Sequence, residues 1–494
     1  MQRSSLWGSR ASIGLLFSGF AAVSVGCGPT VHGSGGDGGG TTTTPNGGTA
    51  GSGGSIPSGC PAELPVNGVP GSCNDETLVC GYGEECCYGE CYSSQECLCS
   101  GGAWYCYYTD ACFGPPDPGC DAGPTNTDDD GDGYNELQGD CNDCDPASNP
   151  GAVEVIAGPD ENGQIPTPAD EDCDGLSDAA DPDLQPCDAG LALDSGDPMD
   201  GVKAIGMCDA KDGVPKFVQT VTWVLADGSV PGADVDMAKY HLGHGMLDHF
   251  GTNDLPQEGA RMLGLSTGTA RNKEEPGFVS RNFDKGYSSL PPQLFSGVTF
   301  ECSGVTVPTD GVQDAAALQI EGVTPSNATG FEFRFHYRTY DFPQYSCTPF
   351  ADFFFADLYT QKQGQMTLQD IALDPQNHMI SANATPFAQC GCPAGAGQCT
   401  PPGGPMVSCS GTDLLVGTDY DGNTNGGVFQ GWTNAGTGWL TANADVEPNQ
   451  PFKLRFTVFD GGSANGVGDH NLDSIVTVDG FRWHGVPGVA TPDP

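Results

Sequence analysis

Basic side chains are scarce in this sequence. Its 494 residues hold 17 Lys and Arg against 64 Asp and Glu, a formal charge of −47 at pH 7. A polyanion of this kind repels phosphate backbones and acidic membrane surfaces, so nucleic acid is excluded as a partner and cations are favoured. Long apolar runs are absent after Val25, which excludes a transmembrane helix from the rest of the chain. A His-Glu-x-x-His zinc motif is also missing, and no Gly-x-Ser-x-Gly elbow or phosphate-cradling glycine loop opens a helix. The expectation is therefore a protein that is not an enzyme.

What is present is loop chemistry. With 75 Gly and 39 Pro, a chain of this length is expected to form several domains of irregular or β structure. The first segment combines Arg3 and Arg10 with an apolar stretch from Ala11 to Val25, the layout of an export signal and too short to span a bilayer. Val25-Gly26-Cys27 resembles the end of a bacterial lipobox, although Ser24 departs from the usual Leu. That resemblance implies residues 1–26 as a signal peptide and Cys27 as a diacylated N-terminus; the plain alternative is a secretory signal with a cysteine nearby. Gly28 in place of Asp resembles the sorting pattern of Gram-negative outer-membrane lipoproteins.

Cysteine counting fits the lipid reading. Of 23 Cys, removing Cys27 leaves 22, divided as ten from Cys60 to Cys112, six from Cys120 to Cys208 and six from Cys302 to Cys409. Even counts in an exported chain point to disulfides confined within modules, with connectivity left open. Residues 27–59 carry the anchor cysteine and a Gly/Ser/Thr-rich flexible tether, with a reach on the order of 30 Å. Residues 60–120 form a Cys-rich module in which cross-links substitute for a hydrophobic core. A zinc module is the alternative there, but the segment has no His.

The region 121–210 is rich in Asp. Asp170, Asp172, Asp174, Gly175, Asp178 and Asp181 occupy positions one, three, five, six, nine and twelve of a twelve-residue window. Calcium takes six to eight oxygens, alternate short carboxylates can turn inward together, and glycine at six allows the sharp turn. A second loop starts at Asp128, with Asp130, Asp132 and Gly133 in register, the Tyr134 carbonyl at seven and Glu136 at nine. Position twelve is Gly139, so Asp140 arrives one residue late, and Asp143 or Asp145 is needed to complete the ligand set. Two or more calcium ions are expected.

Asp128 to Gly133, Gly139-Asp140-Cys141, Asp145-Pro146, Asn149-Pro150-Gly151-Ala152, Glu154 and Asp172-Cys173-Asp174-Gly175 resemble the Asp-rich repeat of the MopE family of bacterial surface proteins. The family is associated with copper. The stretch from Asp128 to Asp183 holds no His or Met, so hard-oxygen calcium chemistry is carried over and copper is the minor alternative.

Residues 211–486 alternate with period two, as in Phe331, Phe333, Phe335 and Tyr337 against Glu332, Arg334, His336 and Arg338, and again in Phe452, Leu454, Phe456 and Val458. The alternation predicts strands with one apolar and one polar face, and the Gly, Asn, Asp and Pro clusters between them predict an antiparallel, jelly-roll-like β-sandwich. One helix is expected near Met237 to Phe250. Phe250-Gly251, Leu263 to Gly268, the Phe331 strand, Phe353-Phe354-Phe355, Tyr420-Asp421-Gly422, Asp460, Asp473-Ser474 and Trp483 together resemble the choice-of-anchor L domain of bacterial surface proteins. The resemblance spans Lys216 to Trp483 and implies a sandwich with a surface role and no established chemistry. The Cys390 to Cys409 insertion and the His-rich helix depart from it. Asp460, Asp469 and Asp473 flank a Gly-rich loop that reads equally as a further calcium site or as turn chemistry. His241 and His244, with Asp248 and His249 nearby, form the one arrangement suggestive of a metal-dependent hydrolase, and polar residues on a partly exposed helix are the favoured reading.

The expected protein is thus mainly β: a disulfide-rich mini-domain, irregular Asp-rich calcium loops, a C-terminal antiparallel sandwich and a tail at 487–494. Its expected role is a cell-surface lipoprotein, a calcium-stabilised adhesion module for an extracellular protein, glycan or matrix ligand. Metal acquisition is the runner-up.

Overall fold

The computed structural model describes residues 127–156, 166–177, 181, 184–208, 210–211, 214–295, 311–384, 386–422, 429–461 and 472–488. Between 60 and 108 it describes positions 60, 61, 65 and 73 and five short strands. Cys27, Asp178 and Asp469 lie outside the described residues, as do the signal and tether. The chain divides into two units, Met1–Pro118 and Gly119–Pro494.

In the first unit, strands Val79–Tyr82, Gln95–Ser100 and Ala103–Tyr108 form one antiparallel sheet, and Glu85–Cys87 pairs with Glu90–Tyr92. Its buried cluster is Cys73, Cys80, Tyr82, Cys97, Cys99 and Trp104. Four of the six are cysteines, and disulfides Cys60–Cys80 and Cys73–Cys99 tie the cluster together. Covalent links therefore take over work that aliphatic burial does in larger domains.

In the second unit, alternation lays the aromatic side of two long strands against each other. Numbered in chain order, the sandwich strands are β1 (Val218–Val224), β2 (His244–Leu247), β3 (Met262–Ser266), β4 (Ser288–Ser289), β5 (Val312–Val323), β6 (Ala328–Thr339) and β7 (Phe353–Lys362). They continue with β8 (Gln365–Asp370), β9 (Ile380–Ser381), β10 (Ala435–Gly436), β11 (Leu440–Asp445), β12 (Pro451–Asp460) and β13 (Ser474–Gly485). One sheet runs β10-β6-β13-β3-β2, with β11 also on β6; the other runs β4-β5-β12-β7-β8, with β9 on β7 and β1 on β5. Every pairing between these strands is antiparallel.

Phe333 of β6 meets Phe456 of β12 edge-on at 5.0 Å between centroids, and Phe335 meets Phe354 of β7 at 5.2 Å. These rings are fully buried and join the two sheets. Segment 198–207 belongs to the same core. Asp197 caps α1 (Pro198–Ala204) by accepting from Met199 N at 3.0 Å, with Pro198 in the first turn, and the short helix then buries Val202, Ala204, Ile205 and Met207 among the sandwich residues. The division expected at 210/211 therefore does not separate two cores.

The polar faces of the long strands depart from expectation. Glu332 and Arg334 reach solvent, but His336 and Arg338 are fully buried, because Phe250, Leu415, Tyr420 and Leu472 build a second apolar layer over that sheet. Within the layer Asp254 pairs with Arg338 and with His336 Nδ1 at 3.1 Å, and accepts from Trp439 Nε1 at 2.7 Å. On the other sheet Arg455 is buried and pairs with Asp357 at 2.6 Å. On both outer faces these buried arginines are thus paired with a buried carboxylate.

The expected helix also contracts. α2 (Met237–His241), capped by Asp236, ends at His241, and His244 opens β2. Gly243 and Gly245 allow this: a Cβ at either would come within 2.8 Å of Lys285 Nζ or of Arg271 and Ala270, so the backbone runs close to its neighbours and pairs with β3. Among the described residues no helix is long and apolar enough to cross a membrane.

Candidate metal centre

Both Asp loops fold the same way for a local reason. Asp128 accepts from Gly131 N at 2.6 Å and Gly133 N at 3.0 Å, while Asp130 and Asp132 accept from the N–H two residues on. Asp170 likewise accepts from Asp174 N and Gly175 N, and Asp172 and Asp174 from the N–H two residues on. Each carboxylate curls back over its own turn, as short Asp side chains do. Gly133 at φ +104° and Gly175 at φ +93° take the conformation that disfavours a side chain at position six.

The curled loops converge their carboxylates. Oxygens of Asp128, Asp130 and Asp132 lie within 4.8 Å of one another, as do those of Asp170, Asp172 and Asp174. After the 3-10 turn Glu136–Gln138, Gly139 reverses the chain, and Asp140 and Asp143 come back to form a further group with Asp130 within the same 4.8 Å limit. Asp145 is used elsewhere, accepting from Ala147 N and Ser148 Oγ. Asp143 is thus the one of the two that joins a converging group, while the charge of Asp145 is felt at Asp132. Glu136 stands near Asp140 and Asp143, adding its charge to theirs. The ring of Tyr134 lies against Gly151, where a Cβ would stand 2.6 Å from the hydroxyl.

In the second loop Asp181 meets Asp172 and Glu154, all three buried. Glu154 had no place in the twelve-residue register. Lys216, from the sandwich, donates to Asp172 at 3.1 Å and to the Ala152 carbonyl at 3.3 Å. Disulfide Cys141–Cys173 joins the loops directly, since Cys141 lies between Asp140 and Asp143 and Cys173 between Asp172 and Asp174.

Electrostatics at the first loop favour a cation. Burial, reinforced by neighbouring carboxylates, pushes Asp130 up to about 7 and Asp140 up to about 6, and raises Asp132 and Asp143. Burial also raises Asp170. Carboxylates crowded this way take up protons or bind a metal. The acidic groups offer oxygen donors: no His belongs to any such group among the described residues, and Cys392, Cys399 and Cys409, which also cluster, are disulfide-bonded.

The other candidates separate differently. Asp460 and Asp473 share a buried polar layer with Asp314 and Asp352, where Lys285 supplies the positive charge and donates to the Ser266 carbonyl at 2.8 Å. Among the described residues they belong to no converging group of three. His244 is buried and stacked on Trp223 at 3.9 Å, with the His241 ring at 4.9 Å, and neither histidine joins a metal-like group among the described residues. Gly264-Leu265-Ser266-Thr267-Gly268 has the letters of a nucleophile elbow, but Ser266 ends β3, is buried and donates its hydroxyl to the Ser474 carbonyl at 2.8 Å.

The acidic segment docks on the sandwich. Val153 N donates to Asn327 Oδ1 at 3.0 Å and Asn327 Nδ2 returns a bond to the Val153 carbonyl at 2.9 Å. Ser326 bonds Gly151 O and Asn149 Oδ1, and Gly488 N bonds Glu171 Oε1. A groove of about 680 Å³ opens between this arm and β13, lined by Val155, Ile156 and Pro186 on one side and by Arg482, Trp483 and His484 on the other. No family model matches the chain, and no curated protein matches it.

Proposed function

We propose that this chain is a calcium-stabilised binding module, held at the cell surface of a Gram-negative bacterium by a lipid on Cys27. In this reading calcium at the Asp128 and Asp170 loops rigidifies the acidic arm. The arm forms one wall of the groove beside β13, so ligand presentation depends on the ion. The observation that carries the reading is the return of Asp140 and Asp143 to Asp130, an all-oxygen donor set without soft ligands. Copper acquisition is the second reading, and no His belongs to a converging group of three among the described residues. The choice-of-anchor L resemblance accords with display of a sandwich to an extracellular protein, glycan or matrix ligand.

The test is elemental mass spectrometry on the full-length protein purified without chelator, with melting followed in calcium and in EGTA. Calcium co-purifies and EGTA lowers the melting temperature. A metal-free preparation whose melt ignores EGTA refutes the calcium reading, and an unacylated Cys27 in the same preparation refutes the anchor.

A further inference from the structure

We infer that the first acidic loop holds two divalent cations side by side, bridged by Asp130. The inference rests on the calcium reading above and adds a second seat to it. Asp130 belongs to two converging groups, one with Asp128 and Asp132 and one with Asp140 and Asp143, and no group contains members of both pairs. Calcium–oxygen distances of roughly 2.3–2.6 Å put opposite ligands of one ion about 5 Å apart at most. The two pairs converge separately on Asp130 within 4.8 Å and not together, which favours two centres sharing Asp130 over one.

The inner seat is marked by oxygens without donors. In each of its three carboxylates, one oxygen is fixed by a backbone N–H: Asp130 Oδ1 by Asp132 at 3.0 Å, Asp140 Oδ1 by Asn142 at 2.8 Å and Asp143 Oδ1 by Asp129 at 2.9 Å. The other oxygen of each, Oδ2, is buried and receives no hydrogen bond. Asp140 and Asp143 are only 5% and 3% exposed, so solvent does not compensate them. Backbone bonds thus orient three bare oxygens into one space, which is what a hard cation requires and what a merely solvated acidic turn lacks. Charge agrees with two ions. Asp128, Asp130, Asp132, Glu136, Asp140 and Asp143 carry six negative charges when ionised, of which one divalent ion leaves four and two leave two.

Asp143→Asn isolates the inner seat, because the amide oxygen still accepts from Asp129 while the Oδ2 position becomes a donor. Equilibrium dialysis of the full chain against calcium should show the variant binding one ion fewer than the wild type. Asp140→Asn, read the same way, serves if Asp143→Asn loses its near-ultraviolet circular dichroism. A wild type that binds no calcium removes the calcium reading and the pairing together. A wild type that binds fewer than three ions per chain, too few for two beside the one at the Asp170 loop, or variants that bind as many ions as the wild type, overturn the pairing alone.

Discussion

Replacing Asn327 by Ala should loosen the acidic arm while leaving the sandwich folded. Asn327 and Val153 are each 3% exposed, and the side-chain amide closes both the N–H and the carbonyl of Val153. Removing it leaves two buried backbone groups unpaired, at about 1–3 kcal/mol each, or about 2–6 kcal/mol for opening the arm. The remaining ties, from Ser326, Gly488 and Lys216, are separate bonds that the substitution does not touch. Native-state hydrogen exchange read by peptide mass spectrometry distinguishes the regions. Peptides covering 149–156 should exchange roughly thirtyfold to ten-thousandfold faster, while those from β6 and β12 keep their protection. Unchanged exchange in the arm would refute the docking role of Asn327. An equal loss in arm and sandwich would show that the two open as one cooperative unit and refute the separation.

Two further perturbations probe the covered faces. Arg455→Met strands the buried Asp357 carboxylate and should cost about 3–5 kcal/mol in urea denaturation, whereas Arg455→Met with Asp357→Leu should recover most of it; a double variant no better than the single one contradicts this. Burial holds His336 down at about 3, below its usual 6.5, with Asp254 and Arg338 facing the ring, so the unfolded chain takes the proton first. Its contribution is complete above pH 6.5 and is lost as pH falls toward 3, a loss of about 3 kcal/mol by pH 4. His336→Gln should flatten that slope, and an unchanged pH profile between 7 and 4 counts against the assignment.

The Asp loops were legible because their geometry is local. Offsets of two residues, with glycine at position six, are enough to curl Asp128 to Gly133 and Asp170 to Gly175, since each carboxylate bonds an N–H on its own turn. The apolar face of Phe331 to Tyr337 was legible for the same reason, as a strand alternates its side chains whatever lies beyond it. Tertiary structure alone brought Asp143 into a converging group with Asp130 and Asp140, brought Glu154 and Lys216 to the second loop, and turned His244 into a strand residue. It also buried His336, Arg338 and Arg455 on faces that alternation marks as polar. Those outcomes depend on contacts between segments far apart in the chain, such as Asp254 with Arg338, Asp357 with Arg455 and Lys216 with Asp172. A residue pattern records what a segment can offer; burial and pairing across the fold select which of those offers is used.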